Sequence, residues 1–357
     1  MARQAAVQQR ASEEVRRNFN LSSFKSKRGL GAENAKYKEQ RWIPLSEAWQ
    51  QVLNIPGIPQ GHITVLRGWS DTGKTTTLVE TAVSCQKRGI LPVLIITEMK
   101  WDFSYCKKMG FQVEEIVDKE TGEITGYDGF FIYADRSQLN TIEDVATFIA
   151  DLLDEQAKGN LPYDLCFLWD SVGSIPCRMS VESKSNSNMW NAGALQTQFG
   201  GFINQKIILS RKQSSPFLNT LVVITKVWVS PPETIRSSPR MQSRGGNCFI
   251  YDSSLIVDYG NIANSGTVKL KAICKGREFE WGKRVNVSVF KCHLSNITSK
   301  GKLIMTPTGF ISLNDVEKYK EANKATWAAQ IGASTEELSF EEEESTDESG
   351  GSSFMFM

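Results

Sequence analysis

The sequence has 357 residues, 40% of them apolar and 23% charged, with a formal net charge of +1. That is the composition of a globular chain long enough to bury the core of one large or two ordinary domains. It excludes a membrane span, which needs an apolar run of roughly 18 residues, and the start MARQAAVQQRASEEVRR has no apolar signal stretch.

Residues 1–41 carry ten Lys/Arg against four Asp/Glu, a net +6, and read as a basic arm with two isolated aromatics, Phe19 and Phe24. A compact fold is expected from Trp42. HITVLRG (62–68) reads as a buried strand and KTTTLVETAVSCQKRG (74–89) as a helix closed by Gly89. PVLIITE (92–98) follows as a strand, WDFSYCKKMG (101–110) as a helix, and DKETGEITGYDG (118–129) as turns. FFIYAD (130–135) is a strand, TIEDVATFIADLLDEQAKG (141–159) a helix, and DLCFLWD (164–170) a strand. GALQTQFGGFINQKIILSRKQ (193–213) reads as a long helix and NTLVVITKVWV (219–229) as a strand. Beyond it, SLIVDYG, GTVKLKAIC and RVNVSVFKC are strand-like and extend the sheet antiparallel, and residues 314–332 form a terminal helix capped by Asn314. Short β-branched runs between amphipathic helices imply an α/β fold with a twisted, mostly parallel central sheet and helices on both faces.

Two stretches, 177–191 and 229–246, fit neither strand nor helix, and long loops placed after core strands usually carry function. Residues 333–357 hold eight Asp/Glu and no basic residue, and read as a disordered acidic tail. Its tip, Phe354-Met355-Phe356-Met357, reads either as a docking peptide for a replication partner or as a frayed end. The seven cysteines are scattered without a CxxC pair, which points to reduced thiols in a cytoplasm rather than a zinc site or disulfide scaffold. With two histidines in the chain, a Ser-His-Asp mechanism has little raw material.

The chemistry concentrates between strand and helix at Gly68-Trp69-Ser70-Asp71-Thr72-Gly73-Lys74-Thr75-Thr76, where GxxxxGKT matches the phosphate-loop pattern. Glycines let successive N–H groups point inward, and the helix N-terminus adds partial positive charge. Lys74 is expected to reach the β- and γ-phosphates and Thr75 to offer a hydroxyl to Mg²⁺. Asp170, at a strand's C-terminal edge, would orient Mg²⁺ through water, and Glu98, on a neighbouring tip, would position and deprotonate the attacking water. Asp71 is an odd residue for an anion cradle; it either faces solvent, caps the next helical turn, or meets a cation such as Arg277 across a subunit interface.

The order GWSDTGKTT, LIITEMKWDFSYCKKMG, LWDSVGSIP, VVITKVW, SRGGNCFIYDSS and ICKGR resembles the RecA-like recombinases, in particular their bacteriophage UvsX-type members, over roughly residues 42–312. The resemblance implies a RecA-like core at 42–313, ATP and Mg²⁺ as cofactors, and DNA-dependent ATP hydrolysis. It also implies a homo-oligomeric helical filament on single-stranded DNA that pairs and exchanges strands with duplex DNA. Mediator, single-strand-binding or replication proteins would be further partners, in the cytoplasm of an infected bacterial cell. It makes Glu98 the hydrolytic glutamate, puts Asp102 and Tyr105 at the adenine, and makes Lys275 and Arg277 cations reaching a neighbour's γ-phosphate. The two unassigned stretches coincide with the family's DNA-binding loops. The first offers Arg178 and Lys184, with Met179 and Met189 as wedges and Trp190 as a stacking surface. The second offers Arg236, Arg240 and Arg244 for phosphates, closed by Gly245-Gly246-Asn247. The arm 1–41 would dock on the next protomer through Phe19 or Phe24. Where the family usually has an amide or imidazole, this chain has Lys226, expected to contact the γ-phosphate as a point charge. A hexameric helicase on the same core, or a DNA-coating scaffold without strand exchange, are the rival readings.

Overall fold

The computed structural model describes residues 19–30, 36–185, 187–230, 240–243, 247–261, 265–295 and 298–344. The chain divides into a small unit, Met1–Glu39 with Lys212–Pro216, and a large one, Gln40–Arg211 with Phe217–Met357. In the small unit, α1 (Leu21–Arg28) starts where the Asn20 side chain accepts from the Ser23 N–H at 2.9 Å and ends at Gly29 in a left-handed conformation. Phe19 and Phe24 lie 5.5 Å apart between ring centroids, so the two aromatics are partners rather than isolated.

The large unit opens with β1 (Trp42–Pro44), α2 (Glu47–Leu53) and β2 (Gly57–Pro59), with β1 and β2 antiparallel. Next come β3 (Ile63–Gly68), α3 (Lys74–Lys87), β4 (Leu91–Ile96), α4 (Phe103–Lys108), β5 (Glu114–Val117), β6 (Ile124–Asp128), β7 (Ile132–Asp135), α5 (Ile142–Ala157) and β8 (Leu165–Asp170). Then follow α6 (Arg178–Glu182), α7 (Asn188–Leu195), a π-helical stretch (Gln196–Ile203) and α8 (Asn204–Leu209). β9 (Thr220–Ser230), β10 (Arg240–Ser243), α9 (Cys248–Asp252) and β11 (Leu255–Tyr259) lead to β12 (Val268–Cys274), β13 (Arg277–Cys292), β14 (Lys300–Thr306) and β15 (Gly309–Ile311). The last elements are α10 (Val316–Ile331) and β16 (Ser339–Glu344).

The sheet runs β15-β14-β13-β11-β3-β9-β8-β4-β7, with β10 on β9 and β12 between β13 and β16. From β11 to β7 every pairing is parallel; from β11 outward through β13, β14 and β15 every pairing is antiparallel. The inner parallel strands β3, β4, β8 and β11 are buried on both faces, as helix-covered strands must be. Side chains of the parallel half alternate between two cores. Leu66, Leu94, Ile96, Leu168 and Val222 pack with α3, while Val65, Val93, Ile95, Phe167, Trp169 and Val223 pack with α5 and the helices after α7. α5 presents Ile142, Val145, Ala146, Ile149 and Leu153 at helical spacing, and a capping box between Thr141 and Asp144 fixes its start. A third core joins α10 to the antiparallel half, where Trp281 stacks on Trp327 at 5.4 Å beside Leu270 and Ile304. No helix among the described residues is long and apolar enough to cross a membrane.

Several boundaries differ from expectation. Part of 118–129, read as turns, forms β6, paired with β5. The stretch 177–191 contains α6 and the start of α7. Glu143 accepts the Arg178 N–H at 2.9 Å and Asn191 Oδ1 accepts the Cys177 N–H at 2.8 Å, so tertiary hydrogen bonds hold helices that a Ser/Asn-rich run does not announce. The long helix therefore begins at Asn188 and ends at Leu209, with a π-helical part at Gln196–Ile203 that contains Gly200 and Gly201. The second unassigned stretch overlaps β9 and β10, which pair antiparallel from Val227↔Ser243 to Ser230↔Arg240. Asp315, not Asn314, occupies the N-cap position of α10. The tail, expected to be disordered from 333, forms β16 over 339–344 because its acidic residues meet cations on β12 and β13; residues 345–357, with the Phe-Met-Phe-Met tip, lie outside the described residues.

Candidate nucleotide site and nucleic-acid face

The phosphate loop leaves β3 at Gly68, whose backbone lies so close to Tyr259 that a Cβ there would sit 2.1 Å from the Tyr259 carbonyl oxygen. The loop is pinned from within. Thr72 Oγ1 donates to the Trp69 carbonyl at 2.8 Å, and the Trp69 indole N–H donates to the Asn261 carbonyl at 2.8 Å. Asp71 stands at φ 57° and Gly73 at φ 93°, both left-handed. Aspartate is one of the few side chains that tolerates that region, so the position is set by backbone shape, and the exposed carboxylate follows. The side chain also has an electrostatic effect: it favours the charged form of Lys74.

Lys74 opens α3, is buried, and donates through Nζ to the Trp69 carbonyl. Burial lowers its pKa to about 8, with Lys226 adding to the drop and Asp170, Glu98 and Asp71 opposing it. Thr75 Oγ1 donates to Asp170 Oδ2 at 2.7 Å. Burial pushes the Asp170 carboxyl up, against the Thr75 hydrogen bond and the nearby lysines. Glu98 follows the end of β4, and its N–H donates to the Asp170 carbonyl at 3.2 Å. Ser171 Oγ donates to one oxygen of Glu98, and Lys226 Nζ lies 3.0 Å from the other. Burial works to raise the Glu98 pKa, but the bonds from Ser171 and Lys226 outweigh it and hold the carboxyl below its usual range.

A cavity of about 440 Å³ opens beside this cluster, lined by residues 71–76, Tyr105, residues 280–283 and residues 305–307. Tyr105 OH and Thr76 Oγ1 are hydrogen-bonded at 3.0 Å on its wall. Asp102 stands at the N-cap of α4, where its carboxylate accepts the Ser104 N–H at 2.8 Å and the Tyr105 N–H at 3.3 Å, and it is not among the lining residues. Sequence reading missed Ser171, although it directly follows the strand-end Asp170, and missed Trp281, Met305, Thr306 and Pro307. No local signal marks the latter four; they arrive from the antiparallel half through the fold alone. The donor set suits a nucleotide with Mg²⁺: a hydroxyl and a carboxylate are hard oxygen ligands, and Lys74 with the start of α3 supplies positive charge for phosphates.

Of the expected DNA contacts, Met179 and Met189 are 56% and 77% exposed, while Trp190 is half-buried against the second core. Arg178 lies 3.6 Å from Asp144. Lys184 is exposed at a left-handed φ of 53°, directly after α6. Arg240 lies on β10, and Asn247 is the N-cap residue of α9. Arg236, Arg244, Gly245 and Gly246 lie outside the described residues. Lys275 and Arg277 flank the β12–β13 turn and do not line the cavity. Lys275 pairs with Glu337, and Arg277 Nη1 donates to the Ile331 carbonyl at 3.0 Å.

With this geometry in view, the likeness to known proteins falls on one name. Residues 10–126 match the RecA N-terminal domain. Protein RecA of Legionella pneumophila (strain Corby) is 26% identical over 244 residues, 67% of this chain and 57% of that protein. Protein RecA of Wolinella succinogenes is 38% identical over 65 residues, 18% of this chain and 19% of the relative. Protein RecA of Ureaplasma parvum serovar 3 (strain ATCC 27815) is 36% identical over 75 residues, covering 20% and 22% respectively. The chain thus spans little more than half the length of its Legionella relative. These matches support a RecA-like recombinase family, and the RecA N-terminal match takes in the phosphate loop, Glu98, Asp102 and Tyr105.

Proposed function

We propose that this chain is an ATP-dependent recombination protein, RecA-like and of UvsX type, that polymerises on single-stranded DNA and promotes pairing and strand exchange with duplex DNA. The observation that carries the reading is the cluster of Lys74 and Thr75, at the start of α3, with Asp170 and Glu98, at the ends of the adjacent parallel strands β8 and β4, within a chain that resembles RecA. Lys74 and the loop N–H groups hold the phosphates of ATP, and Tyr105 faces the base along the cavity wall. Thr75 and Asp170 would hold Mg²⁺, which would supply positive charge against the phosphates. Glu98 orients the water that attacks the terminal phosphorus and takes its proton, as the bond to the bridging oxygen breaks and ADP leaves. Lys275 and Arg277 act on the nucleotide of the adjacent protomer once released from Glu337 and Ile331. The faces around Met179, Met189 and the 227–243 hairpin meet single-stranded DNA by phosphate contact and wedging, without a base code. The arm 1–41 joins protomers, and the protein works in a cytoplasm.

The test combines an ATPase assay, with and without single-stranded DNA, with electron microscopy and a joint-molecule assay. Long filaments with exchanged product are expected. Closed rings would point to a helicase, and filaments without product to a coating protein.

A further inference from the structure

We infer that Lys226 is a positioning residue: it holds the Glu98 carboxylate in place from the strand that runs on into the 227–243 hairpin. The inference rests on the reading of Glu98 as the group that orients water. Glu98 lies just past the end of β4, and the chain turns away at once, with Met99 at a left-handed φ of 54°. The side chain is gripped from two directions. Ser171 holds Oε1 from the exit of β8, and Lys226 holds Oε2 at 3.0 Å from β9. Ser171 is itself fixed, because Thr97 Oγ1 donates to its carbonyl at 3.0 Å and Trp169 Nε1 donates to Thr97 Oγ1 at 3.0 Å.

The sheet order explains the reach. β9, β8 and β4 are consecutive, so Lys226 extends across the tip of the middle strand to meet a carboxylate two strands away. The Glu98 side chain keeps 12% of its exposure and that of Lys226 34%, so the lysine is the more exposed partner of the pair. A carboxylate with each oxygen held by a separate donor has one orientation, and orientation of a water-binding group is worth orders of magnitude in rate. An ammonium suits this task because it is a compact point charge with three donors; an amide would offer neither the charge nor the reach. Lys226 lies opposite Gly68, the first glycine of the phosphate loop, and one residue before the hairpin pairing starts at Val227.

The experiment is a kinetic cycle on the full chain with ATP and single-stranded DNA. Lys226→Met is expected to lower kcat by roughly 10- to 100-fold while KM for ATP moves less than about twofold, and Lys226→Arg to restore most of kcat. In a Glu98→Gln background, Lys226→Met should have no further effect, because the two act as one unit. A raised KM with kcat retained would mean that Lys226 binds phosphate instead, and an undiminished effect in the Glu98→Gln background would also overturn the inference. A crystal structure of Lys226→Met gives a readout independent of hydrolysis. There the Glu98 side chain is expected to leave its present position, and an unmoved Glu98 refutes the role. Wild-type chain that hydrolyses no ATP would count against the proposed function, leaving the crystallographic arm to decide on Lys226.

Discussion

In the parallel half of the sheet, charged side chains are buried and locked together; in the antiparallel half they lie outside and pair with the C-terminal segment. Arg67 on β3 and Asp258 on β11 form a bidentate pair at 2.7 and 2.8 Å, with side chains only 7% and 10% exposed. The Lys74, Asp170, Glu98 and Lys226 cluster stands in the same half, with Lys74 at the start of α3, Asp170 at the end of β8, Glu98 just past β4 and Lys226 on β9. By contrast, Lys271 meets Glu278 and Glu343, Arg284 meets Glu342 at 2.8 Å, and Lys275 meets Glu337, each carboxylate being 42% exposed or more. The difference teaches where charge is irreplaceable. Inside, losing one partner strands the other without water; outside, water and salt stand in for either.

The largest effect expected from that contrast is on folding. Arg67→Met should cost about 3–5 kcal/mol in denaturant unfolding, because Asp258 is left buried and unpaired, and Arg67→Met with Asp258→Leu should recover most of it. A small loss in the single variant would break the comparison. Next, Lys74→Ala should lower ATP turnover by roughly 10²- to 10³-fold, the scale of losing one preorganised donor at developing charge, with the unfolding midpoint little changed.

A pH effect sharpens the same half. His62 bonds to Ser254 at 2.6 Å and Gln40 at 2.9 Å, and burial, with Arg211 nearby, lowers its pKa from 6.5 to about 4. The unfolded chain therefore binds a proton first as pH falls, so this contribution is intact above pH 6.5 and is lost between about 6.5 and 4. Denaturant midpoints measured across that window should decline in the wild type and decline less in His62→Gln. The smallest effect belongs to the outer pairs. Removing residues 333–357 should shift thermal unfolding slightly at low salt and by less at 1 M salt, where the Debye length is about 3 Å. A shift that is large and salt-independent would mean that Phe340, against Trp327, matters more than the charges.

The parallel half was legible in the sequence because its strands are short apolar runs that meet a chemically marked residue, Gly68 ending β3, Asp170 ending β8 and Lys226 interrupting β9. Its order along the chain implies its neighbours in the sheet. Asp71 was the exception: its left-handed backbone has no local pattern, so only its carboxylate was visible. The antiparallel half was less readable because its contacts are distant in sequence. Trp281 meets Trp327, and Glu342 meets Arg284, through folding alone. Acidic composition argued for disorder in 339–344 because the opposing cations on β12 and β13 belong to another part of the chain. Likewise, a Ser/Asn-rich stretch concealed α6, whose hydrogen-bond partner Glu143 lies 35 residues earlier.

β9 has one further property, mechanical rather than chemical. Its residues Thr220–Val223 pair with β8 and Leu221–Lys226 with β3, so the strand is held in the sheet as far as Lys226. From Val227 onward its strand partner, among the described residues, is β10 alone. β9 therefore has the form of a cantilever, held in the sheet as far as Lys226 and continuing past it with β10 beside it.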